Sequence, residues 1–152
     1  MVNADIKLLK KLREETGASI SDCRVALEEC ENDLKAAHAW LKKRGMEKAD
    51  KKSDRETSEG LVESYIHPGG RVGVLVQLLC ETDFVAKTDD FQKLAREVGM
   101  QIAAMNPESV EILLKQEYIR DSSLTVEQLV KSVIGKLGEN IQIKRFQRFA
   151  IS

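Results

Sequence analysis

Residues 72–79, Val-Gly-Val-Leu-Val-Gln-Leu-Leu, form a nearly continuous apolar run. As a strand, the run puts Val72, Val74, Val76 and Leu78 on one face and Leu75 and Leu79 on the other, because successive side chains alternate. A strand apolar on both faces requires cover on both. That requirement rules out a simple two-stranded surface ribbon. One cover has to come from within the chain, and the other could come from a partner chain.

The neighbouring sequence supplies the first cover. Residues 61–66 are also strand-like, and His67-Pro68-Gly69-Gly70 between the two runs is a tight-turn composition, so a hairpin is expected. Thr88 then caps a helix whose Phe91, Leu94, Ala95, Val98, Ile102 and Met105 share one face, and Asn106-Pro107 stops it. Residues 108–117 suit a further short helix. Thr125 with Gln128 fits a capping box ahead of a helix that ends at Gly138. The basic segment 141–151 is strand-like, but Ile143, Phe146 and Phe149 are three apart, which calls for a bulge. The order is ββααβ. The expected core, residues 61–152, is an α+β layer: a three-stranded antiparallel sheet with helices on one face.

Residues 1–45 read differently, as three short helices. Ile6, Leu9 and Leu12 recur at helical spacing up to Gly17, which suits a left-handed cap. Ser19 and Asp22 fit a capping box for a second helix carrying Val25, Ala26 and Leu27. Asn32 or Asp33 can cap a third, with Leu34, Ala37, His38 and Leu41 as its stripe and Gly45 at its end. Trp40 borders that stripe, either packed at its edge or exposed as an anchor. Three helices this short bury little, so the unit is marginal alone or docks on something. Residues 46–60 are almost entirely charged or small, and read as a charged linker.

Charge and cysteine content exclude several functions. With a formal net charge of -1 in 152 residues, the chain lacks the basic footprint of a general nucleic-acid binder. Lys42, Lys43, Arg44, Lys48, Lys51 and Lys52 do cluster, as a solvated helix end or as an RNA contact. No run approaches the ~18 apolar residues of a membrane span. The first residues lack the apolar stretch of a secretory signal, so a cytoplasmic location is expected. Cys23, Cys30 and Cys80 form no Cys-x-x-Cys pair. On one helix, Cys23 and Cys30 would be about 10 Å apart, too far for a disulfide. His38 and His67 have no Cys or His cluster near them, so no metal or cofactor site is expected.

Enzyme chemistry finds little support either. There is no glycine-rich phosphate loop of the Walker type and no Gly-x-Ser-x-Gly elbow. Asp89-Asp90 are sufficiently explained as acids in the first turn of a helix. The unusual stretch is Cys80-Glu81-Thr82-Asp83-Phe84-Val85-Ala86-Lys87, which puts a large aromatic in a strand-to-helix connection. Such an aromatic is either folded under the body as a local plug or offered to a partner.

The chain resembles the family of bacterial translation elongation factor Ts. Leu12-Arg13 with Thr16-Gly17-Ala18, Asp22-Cys23 and Ala26-Leu27 look like its N-terminal signature. Gly60, Gly69-Gly70 and Thr82-Asp83-Phe84-Val85-Ala86-Lys87 look like its core signature. Lys136-Leu137-Gly138-Glu139-Asn140-Ile141 with Arg145-Phe146 looks like its C-terminal strand region. The resemblance implies a guanine-nucleotide exchange factor for elongation factor Tu, with no bond broken by the factor. It implies that residues 1–45 form a ubiquitin-associated-like docking domain contacting the GTPase through Ile20, Ser21 and Arg24. It further implies that Thr82, Asp83, Phe84 and Val85 intrude beside the GTPase's magnesium site. Neither nucleic acid nor membrane is expected as a direct partner.

The chain departs from the family pattern in three ways. Members commonly carry a longer helical segment before Tyr118-Ile119-Arg120-Asp121, whereas eleven residues separate Asn106 from Tyr118 here. The sequence has one copy of the core layer and no coiled-coil appendage. A single half-core with a doubly apolar strand suggests a homodimer. The alternative to an exchange factor is a non-catalytic interaction module, in which the helical unit docks and the sheet is a scaffold. An exposed Asp83-Phe84 would discriminate the two.

Overall fold

The computed structural model describes residues 2–151. Twelve elements follow in order: α1 (Ile6–Thr16), α2 (Ile20–Glu29), α3 (Leu34–Lys51), β1 (Glu59–Ile66), β2 (Val72–Cys80), α4 (Asp83–Ala86), α5 (Asp89–Met105), α6 (Val110–Lys115), β3 (Glu117–Tyr118), β4 (Asp121–Thr125), α7 (Val126–Leu137) and β5 (Gln142–Ala150). The expected α+β class is what is seen, with three helices leading into a three-stranded antiparallel sheet of order β1-β2-β5.

The apolar run is the central strand, and its two faces have different fates. Val74, Val76, Leu78 and Cys80 are buried under α5, together with Phe91, Leu94, Val98 and Ile102. On the opposite face Leu75 is half exposed. Its register neighbours there include Val62 and Ile66 on β1 and Phe149 on β5, all exposed. The bulge expected in the last strand is present: Leu78 pairs with Ile143 and Gln77 with Arg145, leaving Lys144 as the extra residue. It keeps Ile143 and Phe146 on the helix-covered face despite their odd spacing.

Local capping chemistry sets most helix ends. Gly17 and Gly138 end α1 and α7 in the left-handed conformation, at φ 69° and 79°. Asp33 caps α3, Thr88 caps α5, and Thr125 with Gln128 forms the full capping box of α7. Ser19 accepts from Asp22 N–H, but the second half of that box is missing. The Asp22 carboxylate is held instead by Lys48 of α3.

Three expectations need correction. Gly45 does not end the third helix, which runs on to Lys51. The glycine is needed for closeness: a Cβ on Gly135 of α7 would lie 2.8 Å from Gly45 Cα, so the two helices cross backbone to backbone. Residues 46–60 are accordingly not a free linker. Ala49 is buried in the core of the sheet layer, and the carbonyls of Ser53 and Arg55 accept from the Asn140 side chain at 3.4 and 2.8 Å. The first strand begins at Glu59, with Gly60 at φ 149° packed so tightly that a Cβ would meet Leu78 O at 2.1 Å.

The small β3–β4 hairpin was not anticipated. It is tied to α5 by buried polar groups: Gln101 Nε2 donates to Glu117 O at 3.0 Å, and Ile119 N–H donates to Gln101 Oε1 at 2.9 Å. Glu97, also buried, lies 3.0 Å from Arg120 Nε in an ion pair. Polar groups on an otherwise apolar helix face are satisfied by this hairpin alone, which is why the apolar periodicity of α5 says nothing of it.

Candidate functional site

The connection after β2 is not an open loop. Residues Asp83–Ala86 make one helical turn, α4, whose N-cap is Thr82 with its hydroxyl accepting from Val85 N–H. A single turn is not stable by itself. It is anchored by Val85 and Ala86, which are buried in the core cluster. Asp83 and Phe84 occupy the outward side of the same turn. Phe84 is 82% exposed, so it is no plug under the body. Asp83 pairs loosely with Lys87 at 3.6 Å, an exposed i,i+4 contact of little energetic weight.

Beneath α4 lies a polar junction assembled from distant segments. Glu139 Oε1 accepts the main-chain N–H groups of Glu81 and Thr82 at 3.1 and 2.9 Å, and its Oε2 accepts the Thr82 hydroxyl at 2.6 Å. In the other direction, Glu81 Oε2 accepts Asn140 N–H at 2.6 Å and lies 3.5 Å from an Arg55 guanidinium nitrogen. Glu81 and Thr82 are just past the last ladder pair of β2, where main-chain N–H groups need new acceptors. Cys80 closes the junction from inside. Burial, reinforced by the nearby Glu139 charge, pushes its thiol up to about 11.

Sequence reasoning assigned no role to Glu139. A signal was nonetheless available. An acid just after the C-terminal glycine of a helix opposes the helix dipole, so it calls for compensation from elsewhere in the fold.

The N-terminal candidates sit on the first turn of α2. Ile20, Ser21 and Arg24 are all exposed, and their i, i+1, i+4 spacing makes one small patch. Inward-facing Cys23, Ala26 and Leu27 lock α2 onto Leu12, Ala37 and Leu41. Trp40 packs at the edge of this cluster and donates to Glu29 at 2.7 Å, which satisfies it without an external partner. The basic cluster is distributed along α3, with Lys48 committed to Asp22. The helical unit also touches the core directly, since Lys136 of α7 reaches over Gly17 and pairs with Asp90 at 3.2 Å.

Comparison with known proteins gives this geometry a family. Residues 1–49 match the family described as "Elongation factor Ts, mitochondrial, N-terminal", and residues 81–152 match "Elongation factor TS". The chain is 39% identical over 189 positions to "Elongation factor Ts" of Desulfosudis oleivorans, covering 95% of this chain and 96% of that protein. The chain belongs to the elongation factor Ts family. Its likeness to the factor Ts of Nostoc sp. is 49% over all 152 residues, although the chain spans only 48% of that relative's length. With the factor Ts of Rippkaea orientalis it is 43%, covering 99% of this chain and 79% of the relative. The Rippkaea match extends over 197 aligned positions, so that relative carries residues this chain lacks, whereas the Nostoc match needs 152 positions for 152 residues. Shortness relative to other factor Ts sequences is therefore shared with at least one relative.

Proposed function

We propose that this chain is a guanine-nucleotide exchange factor for elongation factor Tu, acting through α4. The observation that carries the reading is Phe84, a fully presented aromatic on a turn whose other residues are buried anchors. In the proposed mechanism the patch of Ile20, Ser21 and Arg24 docks the factor on the GTPase. Thr82, Asp83, Phe84 and Val85 then enter beside the nucleotide site, with Phe84 as the wedge. Magnesium in such sites bridges phosphate oxygens and neutralises their charge, so disturbing its surroundings loosens the nucleotide. Asp83 acts beside the wedge by hydrogen bonding and by its charge, and is not a metal ligand. No bond is made or broken by the factor.

Linkage fixes what the contact must achieve. If the factor binds the empty GTPase more tightly than the loaded one, it weakens nucleotide binding by the same ratio. Burying an aromatic contributes roughly 1.5–3 kcal/mol, a tenfold to hundredfold effect on an equilibrium. The test is release of fluorescent GDP from elongation factor Tu in stopped flow. Acceleration by the wild-type chain is the expected result. No acceleration at any factor concentration overturns the exchange reading and favours a plain interaction module.

A homodimer through the open face of the sheet is part of the same reading. Val62, Ile66, Leu75 and Phe149 are exposed together on that face, around a shallow concavity of about 510 Å³. A second copy of the sheet would supply the missing cover for the doubly apolar strand.

A further inference from the structure

We infer that Glu139 is the positioning residue of α4, holding Phe84 in its presented orientation before any partner arrives. The inference rests on the exchange reading for its functional consequence, but not for its structural content. Glu139 and Thr82 are 57 residues apart in sequence, and three hydrogen bonds from one carboxylate join them and Glu81. Such bonds to an ionised acceptor are roughly twice as strong as neutral ones.

The third bond does the orienting. With its proton given to Glu139 at 2.6 Å, the Thr82 hydroxyl has only lone pairs left to offer on its other side. One of these caps Val85 N–H at 3.4 Å. The carboxylate thereby selects the hydroxyl rotamer that starts the helical turn. Val85 and Ala86 fix the inner side of that turn, and Phe84 is carried on the outer side. Without Glu139, two consecutive main-chain N–H groups and the cap lose their acceptor together. The turn then has to be ordered during docking, which subtracts from the binding energy available for the wedge. The second carboxylate of the junction works in the opposite direction. Glu81 holds Asn140 N–H and lies near Arg55, and the Asn140 side chain holds the chain just after α3.

The test uses the full chain and the variants Glu139→Ala and Glu139→Gln. In hydrogen exchange followed by NMR, Glu139→Ala should speed exchange of the Glu81, Thr82 and Val85 amides by about tenfold or more. Amides of Val76 and Leu78 should keep wild-type protection. Glu139→Gln retains one oxygen acceptor and should restore most of the protection of Glu81 and Thr82. It also serves as the informative variant if Glu139→Ala melts too low to measure. In GDP release from elongation factor Tu, Glu139→Ala should lower the maximal rate by about tenfold, with the half-saturating factor concentration unchanged. In a Phe84→Ala background the same substitution should add nothing, because Glu139 acts through Phe84. Additive losses in that double variant, or a raised half-saturation with an unchanged maximal rate, would overturn the positioning role. Unchanged amide protection in both variants would overturn the clamp itself while leaving exchange by the wild-type chain intact. A wild-type chain that releases no GDP overturns the exchange consequence, and amide exchange then still decides whether Glu139 orders the turn.

Discussion

Phe84 is exposed where an apolar side chain gains nothing from the fold, so removing it should leave stability almost untouched. Phe84→Ala should slow GDP release by roughly tenfold to hundredfold, the worth of burying one aromatic in a partner, while circular dichroism stays native. Asp83→Ala should shift the rate in the same direction by less. Wild-type rates from a well-folded Phe84→Ala chain would remove the wedge from the mechanism. Cys80 gives a second prediction at this scale. Burial and then the Glu139 charge raise its thiol to about 11, above the ~8.5 of an unfolded thiol. The native state therefore holds this proton more tightly than the unfolded state does. The stability it contributes is full below the unfolded value and is lost as pH rises towards 11. Urea unfolding between pH 8 and 10.5 should show a steeper loss of stability in the wild type than in Cys80→Ala. Equal slopes would mean that the thiol is solvated.

Two glycines at one helix crossing separate propensity from packing at the scale of elements. Gly135 of α7 faces the backbone of α3, and a Cβ there would come within 2.9 Å of Gly45 O. A Cβ on Gly45 would meet nothing within 4 Å. Gly135→Ala should destabilise by about 1–3 kcal/mol, the usual cost of overpacking. Gly45→Ala should be neutral or stabilise by about 0.5–1 kcal/mol, since glycine inside a helix is entropically unfavourable. Chemical denaturation measures both, and destabilisation of equal size in the two variants would contradict the crossing geometry. The pair also explains why a helix expected to stop at Gly45 continues. A glycine in sequence signals either an end or a close approach, and only the position of α7 distinguishes them.

For the whole molecule, the open sheet face and the α2 patch make separable predictions. Light scattering at micromolar concentration should report roughly twice 17.1 kDa, with an interface of about 1,200 Å² or more. Leu75→Glu puts a charge at the centre of that face and should yield a monomer with native circular dichroism. A wild-type monomer at every concentration, with no two-to-two complex with the GTPase, would exclude the dimer. Docking through α2 is best probed by Ile20→Ala with Arg24→Ala, which should raise the half-saturating factor concentration and leave the maximal release rate nearly unchanged. These substitutions probe docking better than removal of residues 1–45, because that cut falls inside α3 and would leave Ala49 and the Gly135 crossing without their helix.

Local chemistry was legible in the sequence. Gly17, Asp33, Thr88, Thr125, Gln128 and Gly138 end or begin helices as expected, because a cap is decided by residues within about four positions of it. The antiparallel hairpin and the bulge in β5 were also readable, from turn composition and from the spacing of Ile143 and Phe146. The family signature pointed to Thr82-Asp83-Phe84-Val85 before any geometry was available. What it could not give was the state of Phe84. Exposure depends on Val85 and Ala86 finding the core and on Glu139 arriving from 57 residues away. The β3–β4 hairpin, the course of residues 46–60 and the Glu81–Glu139 junction were hidden for the same reason. Each is held by polar groups whose partners are distant in sequence, and hydrogen bonds between such partners leave no periodic trace in the chain. The sequence by itself determined which residues cap, alternate and turn. The tertiary structure decided which of the remaining polar groups meet, because burial has to satisfy every donor and acceptor at once, wherever in the chain its partner lies.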